Sequence, residues 1–133
     1  MKANGEQKIK VLIIDSHEAV RRALHFRLSV SPKLDVVGAV ASPEAAAPLI
    51  QDQQPAVILL GLQKASDDDL YLMAKAVYEM SQYSADVIVL VPYADTVERE
   101  MLLQAGASSY LLKHINSPKL IREIERVTVV HAT

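Results

Sequence analysis

The sequence predicts a doubly wound α/β domain in which five parallel strands, in the order 2-1-3-4-5, are covered on both faces by five helices. Short runs rich in Val, Ile and Leu recur five times, near-continuous rather than alternating, as strands buried on both faces require. Stretches with helical spacing separate them, and parallel strands need such crossovers. The run over 55–61 reads as the middle of the sheet and closes on Gly61. In this fold ligands bind beyond the carboxyl ends of the strands, in the crevice where the strand order reverses. Residue 61 therefore stands where chemistry is expected, and it has no side chain.

Taken in order, residues 1–8 read as a polar tail, 9–128 as the folded domain and 129–133 as a tail or truncated linker. The first strand covers 9–15 and ends in Asp15. Ser16 is the expected cap of a helix carrying Val20, Ala23, Leu24 and Leu28 inward, with Arg21, Arg22 and Arg27 on a solvated face. Pro32 marks its exit and 34–40 forms the second strand. Ser42, Pro43 and Glu44 supply a cap, a first-turn proline and an acid for a helix over 43–52, which Pro48 is expected to kink.

Strand three covers 56–60. A polar loop leads to Asp67, Asp68 and Asp69, whose charge suits the start of a helix burying Leu70, Met73, Ala74, Val77 and Met80. Strand four is 86–91, stopped by Pro92. Asp95 and Glu98 have the spacing of a capping box, and Gly106 offers a left-handed stop. Strand five is 109–113, and Ser117 with Pro118 opens a last helix that buries Leu120, Ile121, Ile124 and Val127.

The chain of 133 residues suits one domain with a real core, since half of it is hydrophobic. With 14 basic against 16 acidic residues and a net charge of -2, it has no general attraction for nucleic acid or an anionic membrane. The absence of cysteine excludes disulfides, thiolate metal sites and cysteine nucleophiles, and fits a cytoplasmic protein. No apolar run approaches a membrane span and the first ten residues are not signal-like. His17, His25, His114 and His131 are scattered without convergent acids, so no metal or acid/base site is expected of them. Tyr71, Tyr78, Tyr83 and Tyr93 are expected to pack in the core or at its rim.

Two stretches carry a resemblance. Residues 10–21, a strand ending in Asp15 and Ser16 followed by Glu18 and Arg21, resemble the opening of response regulator receiver domains. Residues 106–113, from Gly106 through Tyr110 to Lys113, resemble the family's fifth strand and its lysine. The likeness covers 9–127 and is nearest the LuxR/NarL type, whose receivers usually precede a helix-turn-helix DNA-binding domain. It implies the flavodoxin-like (βα)5 architecture already read from the strands.

It also implies a phosphoryl-accepting aspartate at the end of strand three, with Mg²⁺ held by that aspartate, an acid from strand one and a backbone carbonyl. This sequence departs from that pattern. Gly61 stands for the phosphoacceptor, Asp15 and Ser16 for the acid pair, Val91 for the hydroxyl residue that senses phosphate, and Pro92 for the small residue after it. Tyr110, the switch aromatic by resemblance, and Lys113, the phosphate contact, remain. Glycine offers neither nucleophile nor ligand, and Asp15 is at most a weak remnant of a metal site, so Mg²⁺ is not expected to bind tightly. Ser16, Ser66 and the acids 67–69 are better explained as helix caps than as substitute acceptors. Lys113 could hold an anion, but with no strand-three carboxylate it has one nearby acid and is expected to reach across the pocket to Asp15.

The resulting expectation is a pseudo-receiver without enzymatic activity, cofactor or metal. It would act in signal transduction and transcription regulation through a protein partner or a second copy, using the surface of helix four, strand five and helix five. No direct contact with nucleic acid or membrane is expected of this chain, though a DNA-binding domain belongs after such a receiver in a longer gene product. The alternative is a small-molecule sensor or enzyme that uses a cleft near Asp15, Gly61 and Lys113.

Overall fold

A computed structural model describes residues 7–63 and 67–132, with the side chains of 67–68 and 130–132 left out of account. Five strands alternate with five helices: β1 (Ile9–Ile14), α1 (Glu18–Ser29), β2 (Leu34–Val40), α2 (Pro43–Gln53), β3 (Val57–Gly61), α3 (Asp67–Ser81), β4 (Asp86–Val91), α4 (Thr96–Ala105), β5 (Ser109–Leu112) and α5 (Ser117–Ala132). All strand pairs are parallel and the order is β2-β1-β3-β4-β5, as the sequence predicts. The expected tail at 1–8 lies largely outside the described residues.

The alternation of a strand divides the core in two. Leu12, Ile14, Ile58, Leu60, Val87, Val89 and Val91 pack on one face with Ala46 and Ile50 of α2, Met73, Val77 and Met80 of α3, and Leu102 of α4. Val11, Ile13, Val57, Leu59, Ile88 and Leu90 pack on the other with Leu24 and Leu28 of α1 and Leu120, Ile124 and Val127 of α5. β1 and β3 are completely buried over Val11–Ile14 and Val57–Leu60, which explains why they read as unbroken apolar runs.

Several local expectations are corrected. The cap of α1 is His17, whose Nδ1 accepts from the Val20 amide, rather than Ser16, whose side chain is exposed. Only Arg22 of the three α1 arginines lies on a solvated face. Arg21 donates to the Asp15 carbonyl at 2.8 Å, and Arg27 donates to Ser117 Oγ and the Ile115 carbonyl, fastening α1 to the start of α5.

α2 runs as one helix from Pro43 to Gln53 with Pro48 inside it, and Pro48 is exposed. α5 starts at Ser117 as expected, with Asn116 Oδ1 accepting from the Lys119 amide just ahead of it. α5 then continues to Ala132, so 129–132 are helical rather than a tail. Tyr71, Tyr78 and Tyr93 are exposed, and only Tyr83 among the four packs against the core.

Candidate functional site

The carboxyl ends of β1 and β3 are adjacent, with Ile14 paired to Leu60, and Asp15 and Gly61 come next on the two chains. By strand parity Asp15 continues the row of Val11 and Ile13, and Gly61 that of Val57 and Leu59, so both face the α1/α5 side. The Asp15 carboxylate lies over Gly61. A β-carbon built on Gly61 would stand 2.8 Å from the Asp15 carboxyl carbon, and closer still to Oδ2. The space expected to be empty is filled by the neighbouring strand's acid.

Asp15 is 2% exposed, and a buried carboxylate has to be paired and hydrogen-bonded. Both of its oxygens are engaged. Lys113, just past β5, reaches Oδ2 at 2.9 Å, and the His17 amide donates to Oδ1 at 2.8 Å. Lys113 itself is 15% exposed. The lysine therefore reaches Asp15 as the loss of a strand-three acid implied, but across a filled volume rather than a cleft.

This donor set does not fit Mg²⁺. The ion wants several oxygens in octahedral array, whereas the single buried acid here is already neutralised by an ammonium. Ser16 is exposed, its hydroxyl accepting weakly from Gln63 Nε2 at 3.4 Å. Among the described residues no cluster of three His, Cys, Asp or Glu could hold a metal. Ser66 and the side chains of Asp67 and Asp68 fall outside what is described. Asp69 sits in the first turn of α3, beside the strand-three end.

Val91 is buried among the apolar side chains of β4 and presents no hydroxyl. Tyr110 is the second organised polar feature, and the sequence did not reveal what it does. Its hydroxyl donates to Glu98 at 2.5 Å and accepts from the Asp95 amide at 3.1 Å. Asp95 Oδ1 in turn accepts from the Glu98 amide at 2.8 Å. In a capping box the Glu98 carboxylate would itself take the cap's amide. Here Tyr110 stands between the two and completes the circuit, tying β5 to the start of α4. Burial, and then the hydrogen bond to Glu98, push the Tyr110 phenol up to about 12.

On the outer side of α4 and its lead-in, Tyr93, Val97 and Met101 are exposed at four-residue spacing. Between β5 and α5 a hydrogen-bonded trio joins Ser109, Glu123 and Arg126. Arg126 donates to Glu123, and Ser109 donates to the same carboxylate. That Arg126 partner, then Ser109, hold the Glu123 carboxyl below its ordinary range despite opposing burial.

The fold agrees with what comparison with known proteins shows. Residues 11–125 match the family described as response regulator receiver domain. The transcriptional regulatory protein YhcZ of Bacillus subtilis is 30% identical over 114 residues, which are 86% of this chain and 52% of that protein. DevR/DosR of Mycobacterium tuberculosis, a DNA-binding transcriptional activator, is 31% identical over 121 residues, 90% of this chain and 54% of its own. The chain thus spans about half the length of these relatives.

Among solved structures, a LuxR-family two-component response regulator from Aurantimonas sp. SI85-9A1 superposes with a TM-score of 0.76 at 19% identity, covering 92% of this chain and 86% of that one. The receiver domain of NarL from Mycobacterium tuberculosis gives the same TM-score at 24% identity, over 92% and 97% of the two chains. The match over residues 11–125, with the sheet order that accompanies it, makes the chain a member of the response regulator receiver family, with glycine at the end of β3.

Proposed function

We propose that this receiver domain signals without being phosphorylated, as a pseudo-receiver that works by protein contact. The observation that carries the reading is the closed arrangement of Gly61, Asp15 and Lys113. In-line phosphoryl transfer needs a nucleophilic oxygen and a metal to neutralise developing charge. Residue 61 supplies no oxygen from a side chain, and the acid and lysine that would support the reaction are spent on each other. Val91 could not sense a phosphoryl group through a hydroxyl, and Mg²⁺ would be held weakly.

The output face is the side formed by α4, β5 and α5. Tyr93, Val97 and Met101 offer apolar area there, and the Tyr110 circuit holds the start of α4 in one place. Its partner is a second copy or another protein. Relatives named as transcriptional regulators support a role in transcription regulation, with DNA contact made by another part of a longer gene product rather than by this chain. Among the described residues no helix is long and apolar enough to cross a membrane, which supports a cytoplasmic setting.

A non-enzymatic role is favoured, because both Asp15 oxygens are held, by the His17 amide and by Lys113, and the neighbouring Ser16 is exposed rather than set against them. One relative, a protein-glutamate methylesterase of Rhodopseudomonas palustris, is an enzyme, but the chain covers 28% of it.

Incorporation of labelled phosphate from a small phosphodonor, with Mg²⁺ present, tests the reading. The native chain is expected to remain unlabelled and Gly61→Asp to gain little, because Ser16 and Val91 are unrepaired. The triple variant Gly61→Asp, Ser16→Asp, Val91→Thr is expected to label distinctly more. Native protein labelled at an aspartate as efficiently as the triple variant would overturn the proposal and direct attention to residues 67–69.

A further inference from the structure

The sheet has a second crevice at the same end, on the opposite face from the ion pair. It opens between the start of α2 and α3, with a volume of about 380 Å³. Ile14, Leu60, Leu62, Met73 and Ala76 form its apolar wall, and Ser16, Gln63 and Asp69 stand at its polar rim. Strand parity explains the separation. Ile14 and Leu60 belong to the α2/α3/α4 face, whereas Asp15 and Lys113 meet on the other. The glycine joins the two, since its backbone lines the cleft while its missing side chain makes room for Asp15.

We propose that this cleft binds an uncharged, largely apolar molecule of about one ring, carrying a single hydroxyl or carbonyl group. The proposal goes beyond the phosphorylation-independent reading and can fail without it. Three observations select the ligand. The cleft is at the topological switch between β2-β1 and β3, where this architecture places ligands, and its volume is at the small end of known ligand sites.

Among the described residues its lining includes no basic residue and one acid at the rim, which disfavours an anion such as a phosphate. At the mouth, Gln63 and Ser16 share a weak contact: Gln63 Nε2 donates to Ser16 Oγ at 3.4 Å, long enough for a ligand hydroxyl to displace it at small cost. Leu72, exposed on α3 at the cleft's edge, would be covered by the same event.

The cleft at the other end of the sheet, lined by Asp86, Leu103, Ser108 and Arg126, carries no comparable case, because Ser108 and Asp86 already satisfy each other at 2.8 Å.

The test is a titration of the isotope-labelled full chain with p-cresol, indole and cyclohexanol, using benzoate as the charged control and no phosphodonor, followed by amide chemical shifts. At least one neutral probe is expected to give saturable shifts at Ser16, Gly61, Leu62 and Met73, with Kd of about 1 mM or tighter, and benzoate to bind at least tenfold more weakly. Ala76→Phe fills the wall and is expected to weaken binding at least tenfold. Should that variant fail to fold, Ala41→Trp, at an exposed position on the rim, closes the mouth instead. Absence of saturable shifts at these residues with every neutral probe overturns the proposal, and so do shifts that persist undiminished when the cleft is filled or closed.

Discussion

Asp15 and Gly61 claim one volume: the β-carbon that Gly61 lacks would stand 2.8 Å from the Asp15 carboxyl carbon. The acid cannot yield freely, because Lys113 and the His17 amide hold its two oxygens. Gly61→Ala is therefore expected to destabilise the fold by about 1–3 kcal/mol, the usual scale for overpacking a filled site. Urea midpoints measure it. An unchanged midpoint would show that Asp15 reorients without cost.

Lys113→Met leaves a buried carboxylate with one amide for company. The expected loss is about 2–4 kcal/mol, below the range for breaking a fully buried pair because the lysine is partly exposed. Asp15→Leu combined with Lys113→Met is expected to recover most of that loss, since replacing both charges by apolar groups removes the uncompensated one. A double variant no more stable than Lys113→Met alone would mean that packing, not charge, dominates.

Tyr110→Phe removes the link between Asp95 and Glu98 and is expected to cost about 1–2 kcal/mol, as a nearly buried carboxylate loses its donor. The folded phenol titrates near about 12 against an ordinary 10.0. A raised acid pKa means that the neutral form is favoured by folding, so this stabilisation is complete below pH 10 and is lost as pH rises toward 12. The difference between native and Tyr110→Phe absorbance titrations is expected to show this late transition.

Glu123 behaves in the opposite sense. Its folded pKa lies below the ordinary 4.5, so its contribution is complete above that value and fades as pH falls through the folded one. The stability gap between native protein and Glu123→Gln is expected to be flat from neutral pH to about 5 and to close in acid. A gap that persists unchanged at pH about 2 would assign the effect to side-chain packing.

Self-association, weak or firm, is expected through the α4, β5 and α5 side. Light scattering at rising concentration measures it, and Val97→Glu with Met101→Glu is expected to abolish it while leaving the fold intact, since both positions are exposed. Monomer at all concentrations would leave a different protein as the partner of this face.

Fold and site were legible to different depths. Buried strands in a parallel sheet leave unbroken Val, Ile and Leu runs, so the five strands could be read directly, while their order rested on the rule that the first connection reverses direction. The pairing of Lys113 with Asp15 followed from counting the acids left after Gly61. That Asp15 would occupy Gly61's space could not be read, because it depends on the register of two strands and a side-chain direction.

The role of Tyr110 was hidden for a related reason. Asp95 and Glu98 have the spacing of a self-sufficient cap, and only the fold brings a tyrosine from β5 between them. Arg21 and Arg27 looked like solvated charges because their acceptors are backbone carbonyls, which leave no trace in composition.

Under the phosphorylation-independent reading proposed above, the crowding at residue 61 gives any return to chemistry an uphill start. A lineage that acquires aspartate there meets an occupied volume and loses an ion pair before any phosphoryl transfer can compensate, because Ser16 and Val91 still stand in the way. Proteins tolerate only a few kcal/mol of such loss, so the first step back is uphill and selection has nothing yet to reward. The ion pair acts as a ratchet. With Asp15 seated over Gly61, any substitution at residue 61 is filtered first by packing against that carboxylate and its pair with Lys113.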